Sequence, residues 1–129
     1  SKLALLIIED EESVSTAIQK ILTLSLEDRH ELTFRTAKGK DALDFLERGE
    51  RFDVILCDLN LGGTSGRYVF EKISSQYPEE IERFGFLTGD RAHHETAAYL
   101  ASTGRPALYK PFDHAQLLEL VNLLSKDAK

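Results

Sequence analysis

The sequence lacks the features that mark secreted and membrane-spanning proteins. It contains a single cysteine, Cys57, so no disulfide can form within the chain and no oxidising compartment is required; we expect Cys57 to be a small core residue. No apolar run approaches the roughly 20 residues that a helix needs to span a bilayer, and no signal-peptide pattern opens the chain. These absences predict a cytoplasmic domain, although its parent protein could be membrane-anchored.

Positive charge is also scarce. The chain has 16 Lys and Arg against 22 Asp and Glu, which gives a net charge of −6. This balance argues against direct binding of nucleic acid or of an anionic membrane by this domain. With 129 residues and 42% hydrophobic residues, the composition predicts one compact domain over residues 1–129, which could also be excised from a larger protein.

Short apolar runs alternate with helical patterns along the whole chain. Each of the five apolar segments is followed by apolar residues at helical spacing, which predicts five β-α units, a parallel sheet and helices on both faces. Leu32 and Phe34 alternate with polar residues, as in an edge strand. The other predicted strands are residues 3–8, 54–57, 84–87 and 107–109.

Polar side chains follow four of these predicted strands. Glu9 and Asp10 come after the first strand, Asp58 after the third, Thr88 after the fourth and Lys110 after the fifth. Parallel α/β sheets bind ligands at the carboxyl ends of their strands. We therefore expect these five side chains to gather at one edge of the sheet.

This set of residues fits phosphoryl transfer. Crowded carboxylates favour a bound cation, and oxygen ligands without His or Cys favour Mg²⁺. Asp58 can attack phosphorus as a nucleophile and form an acyl phosphate. Lys110 can neutralise phosphoryl oxygens and Thr88 can donate a hydrogen bond to one of them.

Four segments resemble the motifs of response-regulator receiver domains of two-component signalling. The resemblance covers essentially the whole chain, and each motif follows a predicted strand. It implies a flavodoxin-like (βα)5 fold whose five-stranded parallel sheet has the order 2-1-3-4-5, with helices on both faces. The segments are Ile-Ile-Glu-Asp-Glu (7–11), Val-Ile-Leu-Cys-Asp (54–58), Leu-Thr-Gly (87–89) and Tyr-Lys-Pro-Phe (109–112).

The resemblance implies a phosphoacceptor and a metal site. By this resemblance Asp58 accepts the phosphoryl group. Asp10 and Asp58 bind Mg²⁺ (or Mn²⁺) directly, together with the backbone carbonyl of Asn60. Glu9, which replaces a frequent Asp, acts mostly through water.

The resemblance also implies partners. Thr88 and Lys110 contact a phosphoryl group that comes from a histidine kinase or a histidine phosphotransfer domain, and a homodimer is possible. Such a domain phosphorylates and dephosphorylates itself without being a classical enzyme. Residues 103–112 resemble receivers of hybrid sensor histidine kinases, which suggests a parent protein of that kind.

The chain departs from the family pattern at several positions. Gly62 replaces a usual proline, and Gly89 replaces a usual alanine. Ala107 stands where receivers usually carry Tyr or Phe, so we expect little phosphorylation-linked rearrangement around Ala107. The family also predicts a cis peptide bond before Pro111.

Other functions remain open from the sequence alone. A haloacid-dehalogenase-like phosphatase would need a second Asp where this chain has Asn60. A flavodoxin-like FMN-binding domain would need a phosphate loop where this chain has the acidic residues 9–12, although these acids could also simply favour a helix N-terminus. A pseudo-receiver that serves only for protein contacts would be expected to have lost Asp58 or Lys110.

Several aromatic and histidine side chains are expected to have a structural rather than a functional role. Tyr68, Phe70 and Phe112 are interpreted as packing residues rather than as a binding platform. His93 and His94 are predicted to lie on a solvated helix face.

Overall fold

The computed structural model describes residues 1–61, 65–89 and 94–126. Its secondary structure alternates strands and helices along the chain, as the sequence predicts. The elements are β1 (Lys2–Ile8), α1 (Glu12–Leu26), β2 (Glu31–Ala37), α2 (Gly39–Glu47), β3 (Val54–Asp58), α3 (Gly66–Gln76), a 3₁₀ helix (Pro78–Arg83), β4 (Phe84–Thr88), α4 (His94–Thr103), β5 (Ala107–Tyr109) and α5 (His114–Lys126).

The five strands form one parallel sheet in the order β2-β1-β3-β4-β5. The predicted fold class and strand order are therefore confirmed. β2 lies at an edge, and its partly exposed Leu32 and Phe34 agree with the predicted edge strand. Every residue of β3 is buried, because this strand lies in the middle of the sheet and is covered on both faces.

The two faces of the sheet carry separate hydrophobic layers. Successive strand residues point to opposite faces, so Val54 and Leu56 pack with α1 and α5, whereas Ile55 and Cys57 pack with α2 and α3. Burial raises the pKa of Cys57 well above its usual value, so its thiol stays protonated. Cys57 is thus a core residue, as predicted.

The structure adds three details of the helices to the sequence interpretation. The 3₁₀ helix before β4 was not predicted. The alanines at the centre of α4 lie at the surface, and Leu100 is the one buried residue of that helix. Tyr68, interpreted as a packing residue, is 49% exposed, whereas Phe70 and Phe112 pack against the core.

Some predicted features lie outside the described residues. These are Gly62 and His93. His94 is exposed at the start of α4, as predicted. No helix in the described segments is both long enough and apolar enough to cross a membrane.

Candidate functional site

The polar residues predicted from the sequence lie at the carboxyl edge of the sheet. Glu9 and Asp10 follow the end of β1, Asp58 is the last residue of β3, and Thr88 is the last residue of β4. Lys110 follows β5, where its backbone N–H donates to the carbonyl oxygen of Thr88 at 2.7 Å. All five residues come from this edge because the strands run in parallel.

Lys110 is bonded to two buried carboxylates at the centre of this edge. Its Nζ donates to Oδ2 of Asp58 at 2.8 Å and to Oε1 of Glu9 at 2.9 Å. Glu9 is 6% exposed and Asp58 is 5% exposed. Two carboxylates shielded from water need a cation, and the ammonium group supplies it.

The pKa values of this cluster reflect burial and pairing. Burial raises the pKa of Glu9, and the hydrogen bonds from Lys110 and from the Glu11 N–H only partly oppose this effect. Burial lowers the pKa of Lys110, but its hydrogen bonds to Asp58 and Glu9 outweigh that effect, so the pKa lies above its usual value. Lys110 is therefore positively charged at neutral pH.

Asn60 connects Asp58 to Thr88. The backbone N–H of Asn60 donates to Oδ1 of Asp58 at 2.9 Å, and its side-chain Nδ2 donates to Oγ1 of Thr88 at 3.4 Å. Both carboxylate oxygens of Asp58 thus accept hydrogen bonds, one from the chain's own turn and one from Lys110. The orientation of the Asp58 carboxylate is fixed from two sides.

Asp10 lies to one side of this cluster. With Glu9 it lines a polar cleft of about 470 Å³ between the N-terminal half of α1 and the segment from β2 into α2. Within the described residues, no three His, Cys, Asp or Glu side chains form a ready-made metal site. The ammonium of Lys110 instead pairs with two of the three predicted carboxylates.

The donor set nevertheless suits a hard cation. The nearby groups are carboxylate oxygens, an amide and backbone carbonyls, with neither imidazole nor thiolate among the predicted ligands, and such oxygen ligands suit Mg²⁺. Each carboxylate oxygen of Asp58 accepts one hydrogen bond, from Lys110 or from the Asn60 N–H, and an ionised carboxylate oxygen can accept more than one partner. The residues present are therefore compatible with Mg²⁺.

Two features of the site were not predicted from the sequence. The sequence indicated only the backbone carbonyl of Asn60, whereas its side chain bonds to Thr88. Gly66, the first residue of α3, packs directly against the backbone of the site: a Cβ there would collide with the carbonyl oxygen of Asp58 and lie 2.6 Å from the Cα of Leu59. A glycine beside the helix cap Ser65, whose Oγ accepts from the Tyr68 N–H, is the one signal that could have indicated this approach.

A family model for the response regulator receiver domain matches residues 5–122. The chain belongs to this family. Among curated proteins, none matches the sequence of this receiver domain.

Solved receiver domains share its fold. A CheY-like receiver domain from Methanospirillum hungatei JF-1 is 23% identical with a TM-score of 0.78, over 99% of this chain and 98% of that chain. The chemotaxis response regulator CheY4 of Vibrio cholerae is 22% identical with a TM-score of 0.76, over 96% and 99%.

One similar structure comes from a sensor histidine kinase. This structure is the receiver domain of a sensor histidine kinase from Pseudomonas aeruginosa PAO1. Its sequence is 26% identical to this chain and its TM-score is 0.77, over 96% of this chain and 98% of the kinase receiver domain. It is described with a magnesium ion coordinated in its active site cleft.

Proposed function

We propose that this receiver domain accepts a phosphoryl group on Asp58, in a Mg²⁺-dependent reaction, from a phosphohistidine of a histidine kinase or a histidine phosphotransfer domain. The observation that carries the proposal is the contact between Lys110 Nζ and Oδ2 of Asp58 at 2.8 Å. It places a permanent positive charge beside a carboxylate at the end of the central strand. A nucleophile that must meet a phosphoryl group needs such a charge at that position.

The transfer itself is an exchange of one bond to phosphorus. A carboxylate oxygen of Asp58 forms a bond to phosphorus while the bond from phosphorus to the donor's imidazole nitrogen breaks, and the electron pair of that bond leaves with the nitrogen. The product is an acyl phosphate on Asp58. Hydrolysis by water, or transfer to another histidine, ends the phosphorylated state.

Lys110 and Thr88 have the proposed role of binding the phosphoryl oxygens. Lys110 is 24% exposed on its side chain, so an incoming group can reach it from solvent. Its contact with Glu9 is the pairing that it can exchange for a phosphoryl oxygen while it stays near Asp58. Thr88 lies on the neighbouring strand and is linked to this turn through Asn60.

Mg²⁺ is the cofactor in this proposal, with Mn²⁺ as a substitute. Asp10, Asp58 and the backbone carbonyl of Asn60 would hold the ion, and Glu9 would act through a bound water. When bound, the ion supplies positive charge that offsets the repulsion between Asp58 and the phosphoryl group. The magnesium described for the Pseudomonas aeruginosa receiver supports this assignment.

Incubation with a small phosphoramidate donor and Mg²⁺ tests the proposal. We expect intact-mass spectrometry to show one added phosphoryl group that is stable in acid and labile in base. The Asp58→Asn variant removes the carboxylate nucleophile with little change in shape, so it is expected to gain nothing. A wild-type protein that stays unmodified, although it is folded and the donor is active, contradicts the proposal.

A separate titration tests Asp10 as a metal ligand. We expect Asp10→Asn to weaken Mg²⁺ binding at least about tenfold, because the substitution removes one charged ligand, and to leave the far-ultraviolet circular dichroism spectrum unchanged. Asp41→Asn is the matched control, since Asp41 lines the same cleft but follows β2, away from Asp58. Equal affinity of Asp10→Asn and wild type would exclude Asp10 from the metal site.

A further inference from the structure

Helix α4 is held to the rest of the molecule by few contacts. Leu100 is its one buried side chain. Tyr99, next to Leu100, is partly buried and packs against the core on the face that also contains Phe86 and Ala107. The position of α4 therefore depends on Tyr99 to an unusual degree, and weakly attached elements are those that move most readily.

Tyr99 joins three elements at once. Its ring lies edge-on to Phe86 of β4, with 6.4 Å between ring centroids. Its hydroxyl donates to Oε2 of Glu71 on α3 at 3.2 Å, and the guanidinium of Arg67, also on α3, lies 4.2 Å from the centroid of its ring. We call Tyr99, Arg67 and Glu71 the α3–α4 clamp.

The members of the clamp support one another. Arg67 Nε donates to the same Oε2 of Glu71 at 3.1 Å, so one carboxylate oxygen accepts from both α3 and α4. Burial, together with the nearby Glu71 carboxylate, raises the pKa of Tyr99 to about 12. The hydroxyl therefore keeps its proton, and remains a donor to Glu71, over the whole neutral range.

The clamp is directly connected to the phosphoacceptor turn. Gly66 packs on the backbone of Asp58 and Leu59, and its N–H donates to the carbonyl oxygen of Leu59 at 3.1 Å. Arg67 is the next residue, at the start of α3. A shift of the turn around Asp58 can therefore reach Arg67 through the packing of Gly66 on Asp58 and Leu59.

We propose that the α3–α4 clamp holds α4 in its resting position and opens when the site at Asp58 is loaded. The proposal rests on the proposed function, because it takes phosphorylation of Asp58 as the event that moves the start of α3. The coupling runs from Asp58 through Gly66 and Arg67 to Tyr99. It requires no aromatic side chain on β5, where this chain has Ala107.

Hydrogen exchange of α4 amides in the unphosphorylated protein tests the clamp first. Tyr99→Phe keeps the ring and removes only the hydroxyl, so we expect α4 amides to exchange about three to ten times faster than in wild type, as the loss of one net hydrogen bond allows. Tyr68→Phe is the matched control: it removes a hydroxyl from the exposed tyrosine on α3 and is expected to leave α4 unchanged. Unchanged α4 exchange in Tyr99→Phe overturns the proposal.

The second arm repeats the measurement with Mg²⁺ and the phosphoryl mimic beryllofluoride. We expect α4 of the wild type to reach the exchange rates of Tyr99→Phe, the variant to change little further, and β5 to keep its rates. Binding of beryllofluoride is checked separately by its fluorine NMR signal. Bound beryllofluoride without faster α4 exchange overturns the clamp, whereas absent binding counts against the proposed function and leaves the first arm to decide whether the clamp exists.

Discussion

At the scale of single residues, the site is a balance between two buried carboxylates and one ammonium. Lys110 bonds to both Glu9 and Asp58, so it neutralises a pair that would otherwise repel each other in a region of low water content. Burial raises the pKa of Glu9, and the hydrogen bond from Lys110 opposes this rise. The same ammonium group places a positive charge beside Asp58. Under the proposed function, stability and reactivity depend on the same contact.

Lys110→Met is expected to destabilise the protein by roughly 1–3 kcal/mol at pH 7, because it leaves two buried carboxylates without their cation. The variant removes a hydrogen bond that lowers the pKa of Glu9, so that pKa rises further above its usual value of 4.5. A carboxyl group with a raised folded-state pKa favours folding below its unfolded-state pKa and loses that contribution as the pH rises through the folded-state value. The difference between variant and wild type should therefore shrink as the pH falls from 7 towards 4.

Urea denaturation at several pH values measures this difference. Lys40→Ala, which removes an exposed lysine from α2, serves as the control and is expected to change the free energy of unfolding by less than about 0.5 kcal/mol. A Lys110→Met effect that is the same at pH 4 and pH 7 would show that repulsion between Glu9 and Asp58 is not its cause.

At the scale of secondary-structure elements, the start of α3 lies close to the end of β3 because its first residue, Gly66, has no side chain. Gly66 brings the helix against the backbone of Asp58 and Leu59, and Ser65 caps the helix by accepting from the Tyr68 N–H at 3.1 Å. Serine is a favoured residue for this role. The start of α3 therefore packs directly against the backbone of the turn after Asp58.

Gly66→Ala is expected to destabilise the protein by about 1–3 kcal/mol, since the added methyl group forces α3 away from the turn. Gly89→Ala is the matched control, because a Cβ at Gly89 has no neighbour within 4 Å. Thermal or urea denaturation compares the two. Equal stability of both variants would contradict the close packing at Gly66.

Whether an element could be predicted depends on the pattern of apolar residues in its own sequence. The apolar runs of β3 and β4 have no polar interruption before Asp58 and Thr88, so both their burial and the location of the site could be predicted. The 3₁₀ helix could not be predicted, because Pro78, Glu79 and Glu80 show no apolar periodicity. The alanines of α4 indicate a helix but not its buried face, which depends on Tyr99 and Leu100.

At the scale of the whole molecule, the parallel sheet brings residues more than a hundred positions apart into contact. Glu9 and Lys110 meet because β1 and β5 end at the same edge. The sequence predicted this gathering because polar residues directly follow the predicted strands of a parallel sheet. It could not predict that Lys110 bonds to both carboxylates, or that the Asn60 side chain links the turn to Thr88, because such contacts depend on rotamers that no sequence pattern encodes.

The central claim is that Asp58 becomes an acyl phosphate, and borohydride trapping tests it most directly. Borohydride reduces an aspartyl phosphate to homoserine, so peptide mass spectrometry after reaction with a phosphoramidate donor and Mg²⁺ reports the modified position itself. We predict homoserine at position 58, dependent on Mg²⁺ and lost in Lys110→Met. Homoserine at another aspartate, or none at all in a folded wild-type protein, would contradict the account.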